Sequence, residues 1–134
     1  MSWQAYVDSS LVGSGHIDKA CIVSAAGDST WASTPGFNVS ADELKAIIAI
    51  LNDNDKNGPA ASKAYSDGLY VAGERYVATN IQERHIYGRK EKTGVCIVKT
   101  TQAILIGHYG ENTQAGNATA TVEALADYLV KQGY

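Results

Sequence analysis

Between Leu69 and Tyr109 the chain offers five strand-like runs with almost nothing between them: LYV, ERYVATNI, RHIYGRK, GVCIVKT and AILIGHY. The gaps are Ala72-Gly73, a Gln82-Glu83 corner, Glu91 to Thr93, and Thr101-Gln102. A parallel neighbour needs a crossover of about a dozen residues, and none of these gaps supplies one. The segment is therefore a meander of antiparallel strands, and it fixes the centre of the fold.

The flanking sequence adds helices and a hairpin. Ser2 is a good N-cap, and SWQAYVDSSLV reads as a short helix closed by Gly13 and Gly15. In HIDKACIVSAAGDSTWAST two β-rich runs surround Ala26-Gly27-Asp28, which is hairpin chemistry. Ser40 and Glu43 form a capping box ahead of the helix LKAIIAIL. NDNDKNGP is a polar turn with Gly58-Pro59 as its breaker, and AASKAYSDG after it fits either helix or loop. From about Asn112 to Gln132 the chain is helical, with Ala118, Val122, Leu125 and Leu129 in an apolar stripe. Ala120, Thr121 and Ala124 are small enough to let this helix cross the first one closely. Segregated elements of this kind predict an α+β fold in a single domain, residues 1–134. Its centre is an antiparallel sheet of about six to seven strands, with the N- and C-terminal helices packed on one face and a shorter helix or two on the other.

Composition narrows the function. A chain of 134 residues with 45% hydrophobic and 19% charged residues has enough material for a core without staples. No apolar run approaches the ~18 residues of a membrane span, and no secretory signal is expected. Cys21 and Cys96 lie in apolar runs without CxxC spacing, so they read as buried reduced thiols; no metal and no cofactor is expected. The net charge of −3 is unevenly spread. Arg75, Arg84, Arg89, Lys90, Lys92 and Lys99 face only Glu83 and Glu91 within their stretch, which makes it +4 and the remainder −7. Such a stretch is either a solvated strand face or a surface for an anionic partner.

The aromatic residues pose a second choice. Trp3 and Tyr6 stand one helical turn apart at an end that is normally polar and frayed. With the terminal helices side by side, Trp3, Tyr6, Tyr128 and Tyr134 come near each other, and Trp31 can join them from the sheet. These rings either fill the gap between helices and sheet or form a ledge open to solvent. Cores favour Leu, Ile and Val, whereas Trp and Tyr carry a polar edge that wants a partner. A ledge of such rings suits a polyproline II segment, which is already stiff and has carbonyls free to accept hydrogen bonds.

MSWQAYVD, the strand tryptophan Trp31, IYGRK, KTTQAILIGHY, QAG and VEALADYLVKQGY together resemble the profilin family, collinearly over the whole chain and nearer to fungal and plant-like members than to animal ones. The resemblance implies a cytoplasmic, monomeric cytoskeletal protein that binds one actin monomer, docks on proline-rich segments of actin-elongating factors, regulates actin polymerisation, and binds phosphoinositide lipids. It implies a polyproline site of Trp3, Tyr6, Trp31, Tyr128 and Tyr134, although some members carry histidine where Tyr128 stands. It implies actin contacts at Arg75, Arg89, Lys90, Lys99, Gln114, Gly116 and Thr119. It implies phosphoinositide contacts at Arg84, Arg89, Lys90 and Lys92. The basic stretch would steer an acidic partner on approach.

Two other classes compete. An enzyme is not expected, because GxSxG, HExxH, P-loop and CxxC motifs are all missing. His16, His85 and His108 are separated, and His108 on an apolar strand end reads as a packed or hydrogen-bonded histidine. The alternative binding reading is a phosphoinositide or anionic-lipid module without actin function, which would leave the aromatic set unexplained. Nucleic acid is disfavoured by the acidic remainder.

Overall fold

The computed structural model describes residues 2–53, 58–82 and 84–134. The middle of the expected NDNDKNGP turn, residues 54–57, and Glu83 of the expected corner lie outside the described residues.

The meander forms as the short gaps require. Strands β3 (Leu69–Val71), β4 (Glu74–Ile81), β5 (His85–Lys90), β6 (Thr93–Lys99) and β7 (Ala103–Tyr109) run antiparallel in sequence order. The upstream hairpin supplies β1 (Lys19–Ser24) and β2 (Thr30–Ser33), and β1 pairs with β7. The result is one seven-stranded sheet in the order β2-β1-β7-β6-β5-β4-β3.

The N-terminal helix α1 is not uniform. An α turn at Trp3–Ala5, capped by the Ser2 hydroxyl, gives way to a π segment at Tyr6–Leu11 and a 3-10 turn at Val12–Ser14. The capping box forms at α2 (Ala41–Leu51), where Ser40 and Glu43 satisfy each other's backbone N–H groups. The segment left open between helix and loop is helix α3 (Pro59–Ser66). Gly58 and Pro59, read above as a breaker, open it instead, with Pro in the first turn where no N–H is required. Helix α4 (Ala115–Lys131) closes the chain, and its expected stripe of Ala118, Val122, Leu125 and Leu129 is buried.

The sheet separates two cores. One side is packed by α2 and α3 with Phe37, Leu44, Ile47, Ile86, Ile97 and Ile106. The other is packed by α1 and α4 with Val7, Leu11, Ile22, Val98, Leu105 and Val122. The terminal helices thus share one face, as the sequence implies. Ala120 and Ala124, however, are exposed; the small residues buried on that face of α4 are Ala118 and Ala126. Cys21 belongs to the first core and Cys96 to the second, both free and buried. Burial pushes the Cys21 thiol up to about 12 and the Cys96 thiol up as well. His108 is buried with its Nδ1 2.5 Å from Asp18, a hydrogen-bonded histidine. No helix among the described residues is long and apolar enough to cross a membrane.

Candidate functional site

Four local devices bring the terminal rings together. The Ser2 cap starts α1 so that Trp3 and Tyr6 fall on one side of its first turns. Gln4, between them, reaches sideways to the edge of β2: its Nε2 donates to the Ser33 carbonyl at 2.9 Å, and its Oε1 accepts from the Ser33 N–H. The third device is a bulge. Ile22 pairs with Ala32 but Val23 pairs with Thr30, which leaves Trp31 as the extra residue. Strict alternation would send Trp31 and Ala32 to opposite faces; with the bulge both pack against the α1/α4 core. The fourth device ends α4. Gly133 takes a left-handed conformation (φ 92°), Tyr134 N–H donates to the Leu129 carbonyl at 2.9 Å, and Gly133 N–H to Val130 at 3.1 Å. The Tyr134 carbonyl then accepts from the Thr100 hydroxyl at 2.9 Å and from the Gln102 N–H, while Gln102 Nε2 donates to Gly133. Both chain ends are tied to the sheet.

The outcome is a continuous run of rings. Trp3 lies 4.7 Å from Trp31, 5.0 Å from Tyr134 in an edge-on arrangement, and 5.6 Å from Tyr6; Tyr6 lies 6.2 Å from Tyr128. Trp3, Tyr6 and Trp31 are half-buried, while Tyr128 and Tyr134 are 47% and 43% exposed. The rings are neither sealed inside nor scattered. Desolvation, and then the adjacent Tyr128 hydroxyl, raise the Tyr6 phenol above its ordinary value. The cluster therefore presents apolar ring surface together with protonated hydroxyl donors. It can stack on an extended apolar segment and donate to its carbonyls.

The expected actin residues are less compact. Arg89 sits in a row across four strands, Val77–Arg89–Gly94–Tyr109, on the face that carries α4. Gly94 is needed there, because any side chain would overlap the Tyr109 hydroxyl and the Gly88 carbonyl. Gln114, the N-cap of α4, and Gly116 are exposed, and Thr119 is half-buried with its hydroxyl on the Gly116 carbonyl. They follow β7 directly, so they lie at the Tyr109 end of that row. Arg75 alternates with buried Tyr76, stays on the α4 side, and donates from Nε to the Asp67 carbonyl at 2.6 Å. Lys90 and Lys99 do not join them. Lys90 alternates with Arg89 and pairs with Glu74, and Lys99 faces Ile104, whose side chain belongs to the α2/α3 core.

The expected phosphoinositide residues are likewise unequal. Both contacts of the Arg84 guanidinium, to Glu123 and Asp127 on α4, are 2.7 Å, and Lys90 is taken by Glu74. Arg89 and Lys92 are exposed and, among the described residues, carry no ion pair. Glu123 also receives the Tyr87 hydroxyl at 3.2 Å and lies 3.3 Å from His85, which stacks on Tyr87. Sequence reasoning missed Gln4, the Gly133 cap and these α4 carboxylates. The first two had a signal, a polar residue between two rings and a penultimate glycine. The carboxylates had none, because their partners are 39 and 43 residues away.

The family model for Profilin matches residues 1–134. A profilin of Schizosaccharomyces pombe is 46% identical over 134 residues, covering all of both chains, and profilin-2 of Acanthamoeba castellanii is 44% identical with the same coverage. Their solved structures cover 99% of this chain and 100% of their own, each with a TM-score of 0.89.

Proposed function

Because the chain belongs to the profilin family along its whole length, we propose that it is a cytoplasmic, monomeric adaptor that binds monomeric actin, docks on proline-rich segments and so regulates actin polymerisation. The observation that carries this reading is the ring ledge. Five Trp and Tyr side chains from α1, β2 and the C-terminal end of the chain meet in one run and stay partly open to solvent. A polyproline II segment stacks on these rings and loses little entropy on docking.

Actin is assigned to the α4-side face around Arg75, Arg89 and the start of α4 at Gln114, Gly116 and Thr119, with Lys90 and Lys99 as flanking charges that steer association. A globular partner there buries on the order of 1,600 Å² in total. Holding actin while docked on a proline-rich chain raises the local actin concentration at a growing filament end without new contacts. Phosphoinositide headgroups engage Arg89 and Lys92 first. Arg84 and Lys90 join only by giving up Glu123, Asp127 and Glu74. Overlap at Arg89 makes lipid and actin competitors. The role is binding, with no catalytic step.

Tryptophan fluorescence during titration with a proline homopolymer tests the ledge, since Trp3 and Trp31 are the chain's two tryptophans and both lie in it. A saturable change is expected in the wild type and none in Trp3→Ala, which should still bind actin. Arg75→Glu should do the reverse. Loss of both activities from either folded variant would refute the two-site reading.

A further inference from the structure

The two edges of the sheet are treated differently. At β2 the bulge at Trp31 and the Gln4 clamp occupy the outer strand, as exposed edges usually require. At the other edge β3 pairs with β4 alone and carries no bulge, lysine or proline. Val71 and Glu74 close the two-residue turn as a hydrogen-bonded pair, so Tyr70 and Arg75 are the non-hydrogen-bonded pair that follows. The Tyr70 N–H and C=O therefore point away from β4, and neither has a partner among the described residues.

A groove of about 690 Å³ lies along this open edge, between β3 and helices α2 and α3. That is the size of a ligand cleft. Its floor is apolar and shallow, made by Ala46, Ala49, Ala60, Ala64 and Leu69. Its walls are acidic: Asp42, Glu43 and Asp67 against Lys63 leave the lining at −2. Asp67 stands just before β3, at one end of the strand. Asp42 stands at the other, beside Glu43, whose carboxylate holds the Gly73 N–H of the β3–β4 turn. Both aspartates are exposed and make no ion pair among the described residues. Arg75 takes the Asp67 main-chain carbonyl rather than its carboxylate.

We propose that this groove docks an extended segment of a partner protein that carries two basic residues at alternate positions and pairs antiparallel to β3. The residue between them lies opposite Tyr70, exchanges both main-chain hydrogen bonds with it, and packs on its ring, which is 53% exposed. Period-two alternation turns the two neighbours to the side of Leu69 and Val71, which are buried toward α2 and α3. Lysine or arginine suits those positions: the methylene stems cover the alanine floor while the charged ends reach Asp67 and Asp42. An acidic segment is repelled by the same carboxylates, and a helical one leaves the Tyr70 main chain unpaired. The groove belongs to the α2/α3 side of the sheet, so docking leaves the ring ledge on the α1/α4 side free.

The test is an NMR amide titration of the intact protein with the capped peptide Thr-Lys-Val-Lys-Thr at low ionic strength. Saturable shifts are expected from Leu69 to Ala72 and at the start of α2, with the Trp3 and Trp31 side chains unmoved. The isomer Lys-Lys-Val-Thr-Thr keeps composition and charge but breaks the alternation, and N-methylation of the valine keeps the charge but removes a main-chain donor. Each should bind at least about fivefold more weakly, the scale of one lost hydrogen bond. These comparisons leave the protein untouched, so they hold whatever a variant does to folding. Asp42→Asn and Asp67→Asn should each weaken binding by about two- to fivefold, the range of exposed ion pairs. Lys63→Met should strengthen it. Equal binding of the isomer or of the N-methylated peptide would reduce the effect to general charge attraction and overturn the site. Shifts centred on the ring ledge, or a titration that never saturates, would overturn it too.

Discussion

The Gln4 carboxamide lies flat against the edge of β2 and exchanges hydrogen bonds with the Ser33 backbone, Nε2 to carbonyl at 2.9 Å and Ser33 N–H to Oε1 at 3.4 Å. It acts as a one-residue continuation of the sheet, and it holds the first turn of α1 against the strand that carries Trp31. The 4.7 Å contact between Trp3 and Trp31 is downstream of this clamp. Gln4→Ala should destabilise the fold by about 1 kcal/mol, the ordinary net value of exposed hydrogen bonds. Its larger effect should be on proline-peptide affinity, because the indoles lose their fixed spacing. Gln4→Glu keeps the acceptor and loses the donor, so its affinity should fall between the two. Isothermal titration with a proline decamer alongside denaturant unfolding separates the effects. Equal affinity in all three proteins would show that the ledge does not depend on the clamp.

Much of this arrangement is legible in the sequence. The gaps between strand runs dictate the antiparallel meander, Ser40 and Glu43 announce α2, and the apolar stripe of α4 identifies its buried face. The identity of the ledge residues is legible too, since few other roles suit Trp and Tyr at both chain ends. What the sequence hides is aim. Trp31 reaches the ledge only because a bulge between Val23 and Ile22 shifts the pairing, and period-two reasoning has no way to place an extra residue. The basic stretch shows the converse error. Six cations close in sequence look like one patch, but alternation sends Lys90 and Lys99 away from Arg89, and Arg84 is consumed by α4.

The Gly133 cap carries the second prediction. At φ 92° this residue lets the chain turn back so that Tyr134 reaches Trp3 and its carbonyl reaches Thr100. An alanine there meets no steric neighbour, so the cost is backbone strain alone. Gly133→Ala should lose about 1 kcal/mol of stability and release the last residue. The measurable consequence is a Tyr134 ring with averaged NMR shifts and a weaker proline-peptide complex, with actin binding retained. A rigid Tyr134 in the variant would mean that the Thr100 and Gln102 contacts alone hold the end.

A third prediction concerns strain in the β3–β4 hairpin. Ala72 sits at φ 52° and Gly73 at φ 84°, the left-handed pair of a tight two-residue turn. Alanine resists this conformation and glycine or asparagine does not. The turn persists because Glu43 Oε2 accepts the Gly73 N–H at 2.8 Å while its Oε1 satisfies Ser40 at the start of α2. Ala72→Gly should therefore stabilise the protein by about 0.5–1 kcal/mol through relief of strain, less the added freedom of the unfolded chain. Glu43→Ala should destabilise it by about 1–2 kcal/mol, since it removes the cap partner and the turn clamp together. In the double variant the two effects should not add: with the clamp gone, a turn residue that adopts the conformation unaided matters more. Urea unfolding of the four proteins gives the coupling directly, and strict additivity would show that Glu43 does not hold the turn.

The thiols supply a probe of the whole fold. Cys21 and Cys96 are buried on opposite sides of the sheet, and desolvation raises both, Cys21 to about 12. A raised thiol pKa means that the reactive thiolate is scarce at pH 8 in the folded state and becomes available only when the chain opens. The two cysteines face different cores, so a local opening of α1 and α4 should expose Cys96 and leave Cys21 protected. Separation of the ledge helices and global unfolding are thus distinguishable by which cysteine a small alkylating reagent labels first, read by peptide mass spectrometry. Because α1 lacks a regular α-helical ladder through Tyr6–Leu11, its side of the sheet should open at lower free energy. Cys96 should therefore label several-fold faster than Cys21 under native conditions, and a saturating proline homopolymer, if it binds the closed ledge as proposed, should slow Cys96 while leaving Cys21 unchanged. Identical rates with and without the polymer would mean that both thiols are reached only through global unfolding, and that the two cores open as one unit.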